Sequence, residues 1–211
     1  VTPNGLNILI SKLIDCGFVS SSGPITASHI GNGRLSVEVG DTSAPTRFNA
    51  GYENSYDHYV HMVEEGRYSF MVSDGALLSL KYELDGNEMA AHRFVYVPSV
   101  TELDVDNGDT VEMLPGPIEY FSTPRRALLR FEYDPPAFGD RHPYSHLHLN
   151  SAECRMPVSG ALSVKSFLYL VVDAFYPQFL PELEQELAPT QPSVTHIGDL
   201  DRARPYLKIP L

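Results

Sequence analysis

The chain has 211 residues, 43% of them hydrophobic, which is ample for a packed core and excludes wholesale disorder. A formal net charge of -12 and a sequence pI near 5.0 argue against a general affinity for nucleic acid or anionic membrane. Salt screens each charge within about 8 Å, so a local basic patch is compatible with that total.

Taken in chain order, the first residues, "VTPNGLNILISKLIDCG", lack the positive n-region and small-residue cleavage site of a signal peptide. Leu6, Leu9, Ile10, Leu13 and Ile14 recur at helical spacing, which predicts an amphipathic helix over 6–16 stopped by Gly17. Residues 17–33 are rich in Ser and Gly and read as loop, with "GNG" at 31–33 a turn and not a phosphate loop, since no lysine follows. "RLSVEVG" predicts a short strand, and "SYDHYVHMVEEG" a helix ending at Gly66. Residues 67–99 alternate in period two around Asp74-Gly75 and Asp85-Gly86, which predicts a three-strand antiparallel meander over 68–73, 77–84 and 88–97.

Residues 99–126 read as a long acidic and proline-bearing excursion; "DVDNGD", at 104–109, lacks the closing glutamate of a calcium loop and reads as an acidic turn. "RALLRFEYDPP" and "SHLHLN" supply a fourth and a fifth meander-type strand, and "LSVKSFLYLVVDAFYP" a helix with Ser163 as N-cap. "PELEQEL" adds a short polar helix with Pro181 in its first turn. The order of elements predicts an α+β fold, an antiparallel sheet of about five to six strands with helices packed on one face. The predicted domain covers 1–187; residues 188–211 form an extended C-terminal arm that docks on the domain or on a protein partner. No apolar run approaches the ~20 residues of a membrane span. Cys16 and Cys154 stand in no paired motif, so reduced thiols and a cytoplasmic location are expected.

The chemistry concentrates around "HPYSHLHLN". Strand alternation makes Leu147 and Leu149 one face and His146 and His148 the other. In the preceding strand, Leu129, Phe131 and Tyr133 form the apolar set, opposite Arg130, Glu132 and Asp134. The short connection between the two strands suggests that they pair, which would set those polar groups beside the histidines. Three chemistries suit such a face. His146 and His148 could act as general base and acid around a phosphate, with Arg130 or Arg155 holding its charge, in a region where Arg125, Arg126 and Arg141 also fall. They could ligate a divalent metal with Glu132 or Asp134. Or the face could bind an RNA or nucleotide by arginine contacts and stacking. Against all three stands a plain solvated sheet face, which needs no function. His142, ahead of Pro143, reads as a loop residue outside the pair.

Other features read as structural. His58 and His61, three apart on a predicted helix, decorate its surface; His92 is a strand histidine; Cys154 is a small hydrophobe.

The motifs "AHRFVYVPS", "RALLRFEYDPP", "HPYSHLHLN" and "CRMPVSGALSVKSFLYLVVDAFYP" resemble a prokaryotic family known as domain of unknown function 2290, over residues 65–177. The resemblance implies a prokaryotic or phage-related intracellular origin; it carries no settled activity and transfers no catalytic residue. The residues themselves lead to an expected phosphodiesterase or ribonuclease of toxin or defence type, with His146 and His148 moving protons and Arg130 and Arg155 stabilising charge. Its rival is a non-catalytic small-ligand or protein-binding module of a defence or regulatory complex.

Overall fold

The computed structural model describes residues 1–41, 56–99, 128–139, 142–149 and 154–188, the side chains of 56–58 excepted. Helix α1 (Pro3–Asp15) begins where its first residues favour it. The Thr2 side chain accepts the Gly5 N–H at 3.3 Å, and the proline stands in the first turn, where a missing N–H costs little. Leu6, Leu9, Ile10 and Leu13 are buried, Ile14 of the expected stripe is exposed, and Gly17, at φ 75°, ends the helix.

Among the described residues, nine strands form one antiparallel sheet: β1 (Val19–Ser22), β2 (Ile25–His29), β3 (Leu35–Val39), β4 (Phe70–Val72), β5 (Leu77–Asp85), β6 (Glu88–Val97), β7 (Leu129–Tyr133), β8 (Ser145–Leu149) and β9 (Met156–Pro157). From β4 to β9 each strand lies beside its predecessor, including β6 and β7, which residues 98–128 separate in the sequence. One edge of β5 pairs throughout with β6; the other is shared by β4, at Leu77 and Leu78, and β3, at 81–84. Where β3 gives way to β4 the backbones nearly touch. A Cβ on Gly40, whose φ is +71°, would sit 2.2 Å from the Tyr68 carbonyl oxygen. The buried Ser69 hydroxyl bridges the same junction, donating to the Val39 carbonyl at 2.6 Å and accepting the Leu80 N–H at 2.7 Å.

Alternation divides the strands between two apolar clusters. Leu78, Leu80, Phe94, Tyr96, Phe131 and Leu147 join the main core with α1, α3 (Val164–Phe175) and α4 (Leu180–Leu187). Ser163 caps α3, its hydroxyl accepting the Ser166 N–H at 3.0 Å, as its sequence position predicts. The opposite face carries Leu77, Val95, Val97 and Leu128 under Tyr59 and Met62 of α2 (Tyr56–Glu64). The expectation of helices on one face is therefore corrected: α2 sits on the other.

The strand count is corrected as well. β1 and β2 occupy the Ser- and Gly-rich stretch read as loop, and β9, with two residues, is too short to show a period-two pattern. The β5–β6 turn falls at Gly86 and Asn87. Positive φ falls on Gly86 and not on Asn87, so the turn lacks the two positive-φ residues of type I′. Among the described residues no helix is long and apolar enough to cross a membrane. The acidic turn at 104–109 and the arm beyond Ala188 lie outside the described residues.

Candidate functional site

Two rows of cross-strand neighbours run over β6, β7 and β8 on the face that carries α2. One is Arg93, Glu132, His146; the next is Val95, Arg130, His148. Both rows follow from antiparallel register and from the period-two alternation of "HRFVYV", "LRFEY" and "SHLHL". Glu132 is directly opposite His146 and diagonal to His148, a separation that long side chains span.

Glu132 is the hub. Its Oε2 lies 3.3 Å from His146 Nε2 and 3.3 Å from His148 Nε2. Its Oε1 accepts Arg93 Nε–H at 2.7 Å and lies 3.6 Å from Arg130 Nε. The two imidazole rings meet edge to face, centroids 4.7 Å apart. His146 is 0% exposed, His148 1% and Arg130 5%, so this is not a solvated strand face. Burial alone would raise the Glu132 carboxyl, but the two imidazoles and the charges of Arg130 and Arg93 outweigh it and hold the group well below the usual carboxylate range. Burial pushes the His148 imidazole down, against the opposing pull of Glu132.

His146 is oriented from behind. Its Nδ1 lies 3.1 Å from the Pro143 carbonyl oxygen, which can only accept, so Nδ1 carries a proton. Its Nε2 is buried, makes no hydrogen bond, and faces Glu132. Glu132, His146 and His148 each offer one donor atom, and the three atoms lie within 4.8 Å of one another. Nitrogen and carboxylate donors of this kind suit zinc or another first-row metal better than magnesium or calcium.

Of the residues expected from sequence, His146, His148 and Arg130 come together. Asp134 does not: β7 ends at Tyr133, and Asp134 is exposed beyond it at φ -141° and ψ 79°, its N–H donating to the Tyr144 carbonyl. Glu132 takes the carboxylate position. Arg155 is exposed ahead of β9, where its charge acts on His142. Arg125, Arg126 and Arg141 lie outside the described residues.

Two participants went unrecognised in the sequence. Arg93 belongs to the hub through the β6–β7 register. His142 packs edge to face on His146, centroids 4.6 Å apart, where burial lowers its pKa ahead of the effects of His146 and Arg155. The proximity of His142 in "HPYSHLH" was the available signal, and the intervening proline argued against it.

The remaining candidates are structural. His92 stacks on Phe94, centroids 4.4 Å apart, and its Nε2 accepts the Leu162 N–H at 2.9 Å. Burial pushes its imidazole down to about 3. His61 pairs with Glu65 at 3.4 Å on an exposed helix face, and the His58 side chain lies outside the described residues. Cys16 and Cys154 are free.

Fold and site together define an α+β protein whose antiparallel sheet carries a buried carboxylate–imidazole–guanidinium centre. Over residues 24–209 the chain matches the family model described as "Uncharacterized conserved protein (DUF2290)", and it belongs to that family. The match extends in both directions past the 65–177 segment that carries the resemblance. No curated protein and no solved structure matches the chain.

Proposed function

We propose that this chain is a phosphodiesterase or ribonuclease whose centre is the Glu132, His146, His148 and Arg130 group. One observation carries the proposal: a single carboxylate holds two imidazoles through one oxygen and approaches two guanidinium groups through the other. Imidazole beside ionised carboxylate is equipped to activate water, and a fixed guanidinium is equipped to stabilise the charge of a phosphorane-like transition state. Two arginines around one glutamate give the spot a cationic surplus within an acidic chain, which suits an anionic ester. A toxin or defence role is part of the same proposal.

The full chain and its His148→Ala variant are assayed on RNA and on linear and cyclic dinucleotides, and both are expressed in growing cells. Wild type cleaves and slows growth, and the variant does neither. Equal cleavage by the two proteins, or none by wild type, rejects the activity. Growth that stays normal despite cleavage rejects the toxin role.

The near-complete burial of His146 and His148 favours a second reading, a non-catalytic binding module in which the same group fastens β7 to β8. In that case His148→Ala lowers the unfolding midpoint, and wild type shows no turnover.

A further inference from the structure

The geometry points to a divalent first-row metal ion held by Glu132 Oε2, His146 Nε2 and His148 Nε2, with its remaining coordination positions open to water or an oxyanion. Three observations support the site independently of any activity. The first is the orientation of His146. The Pro143 carbonyl engages Nδ1, which leaves Nε2 buried, without a hydrogen bond, and 3.3 Å from a carboxylate oxygen. A buried ring nitrogen with no hydrogen bond facing a carboxylate oxygen is a donor pair that a cation can join.

The second is spacing. Metal–ligand bonds of roughly 2.0–2.1 Å in tetrahedral geometry place neighbouring ligand atoms about 3.3–3.4 Å apart. Both nitrogen-to-Oε2 distances are 3.3 Å, and the two nitrogens lie within 4.8 Å of each other.

The third is the support behind the ligands. Pro143 orients one imidazole, and Arg93 fixes Glu132 Oε1 at 2.7 Å, leaving Oε2 as the ligating oxygen. Such outer partners are a regular part of metal centres. Three protein ligands leave a position free, the arrangement of catalytic rather than structural zinc. With the metal in place, Arg93 and Arg130 would add to its charge, so the open position favours a phosphate oxygen over a neutral ligand.

The chemical use of the metal, lowering the pKa of a bound water for attack on a phosphate ester, rests on the function proposed above; the binding does not. The full chain is stripped with chelator and titrated with Co²⁺, followed by visible absorption, and with Zn²⁺, followed by calorimetry, with and without inorganic phosphate. One equivalent of Co²⁺ should bind with visible ligand-field bands, and phosphate should perturb those bands. Glu132→Gln and His148→Ala should weaken binding beyond the ~10–100-fold typical of losing an outer partner, and Arg93→Gln should fall within that range.

Absence of stoichiometric binding to folded wild type overturns the site, as does equal binding by wild type and Glu132→Gln. Bands indifferent to phosphate overturn the open oxyanion position. If His148→Ala is unfolded by circular dichroism, the near-isosteric Glu132→Gln decides alone; if that too is unfolded, His146→Gln takes its place, and binding unchanged from wild type refutes the site. Metal binding without hydrolysis overturns the proposed activity and keeps the site. Hydrolysis by metal-free protein keeps the activity and overturns only the metal's part in it.

Discussion

Glu132→Gln is the perturbation that most directly tests the hub. Glutamine keeps the length and planarity of the side chain and removes only the charge. In the folded chain that charge faces Arg130, whose side chain is 7% exposed, and two imidazoles at 0% and 1%. Removing one partner from a buried ionic group leaves the others uncompensated, typically at about 3–5 kcal/mol. Arg93, at 36% exposed, can turn to water and adds little to that cost. For a domain of this size the loss corresponds to roughly 6–20 °C in unfolding midpoint. The assay is urea and thermal unfolding of wild type and variant, with chelator present throughout so that bound metal contributes nothing. Arg93→Gln in parallel should cost about 1 kcal/mol or less. A Glu132→Gln change within about 0.5 kcal/mol of wild type, the range of ordinary surface substitutions, would refute the hub reasoning.

Two further perturbations test the frame that holds the hub. His92 has a folded pKa pushed down to about 3 against 6.5 when unfolded, so between those values only the unfolded chain takes the proton. Its contribution is intact above pH 6.5 and is lost as pH falls toward 3, by up to about 5 kcal/mol at about 1.4 kcal/mol per pH unit. The stability difference between wild type and His92→Gln should narrow on acidification, and parallel pH curves would contradict this. Gly40→Ala forces a Cβ to within 2.2 Å of the Tyr68 carbonyl at φ +71°, so a loss above about 3 kcal/mol is expected. Gly86→Ala, at φ +60° with nothing within 4 Å, should cost only about 1–2 kcal/mol in the same denaturation assay.

Local rules made much of the frame legible. The Leu6, Leu9, Ile10, Leu13 stripe, the Ser163 cap and the alternation of "LLSLKYEL" each reflect an interaction within one element, and each element formed. The Arg130 to His148 pairing was also accessible, because a short connection between β7 and β8 leaves few registers that keep Phe131 and Leu147 on one face. β1 and β2 escaped for a physical reason: "VSSS" and "ITASH" bury little, since edge strands are held by ladder hydrogen bonds and need few apolar side chains. Asp134 was assigned to the polar set by extending alternation one residue beyond the end of β7, where the following prolines turn the chain. Arg93 depended on a register between strands separated by more than thirty residues, which no local rule specifies.

The burial of the polar face was the least legible feature, and it bears most on function. Alternation distinguishes two faces of a strand but does not say which is wet, because that depends on what packs over each. "SHLHL" reads as an amphipathic edge, yet Ser145, His146, Leu147 and His148 are all buried. Desolvation raises the stakes of every contact there: an ionic group that would be worth little in water is costly to break and strongly polarising when intact. The least buried parts of the hub are Glu132, at 13%, and Arg93, at 36%, while the imidazoles lie at the inner end of the row. On the proposed reading an anionic ester therefore approaches over Arg93 and meets guanidinium before imidazole. Arg93→Gln should then raise KM for a phosphodiester more than it lowers kcat, whereas His148→Ala should abolish kcat. A kcat loss equal to that of His148→Ala in the arginine variant, with KM unchanged, would reject that direction of approach.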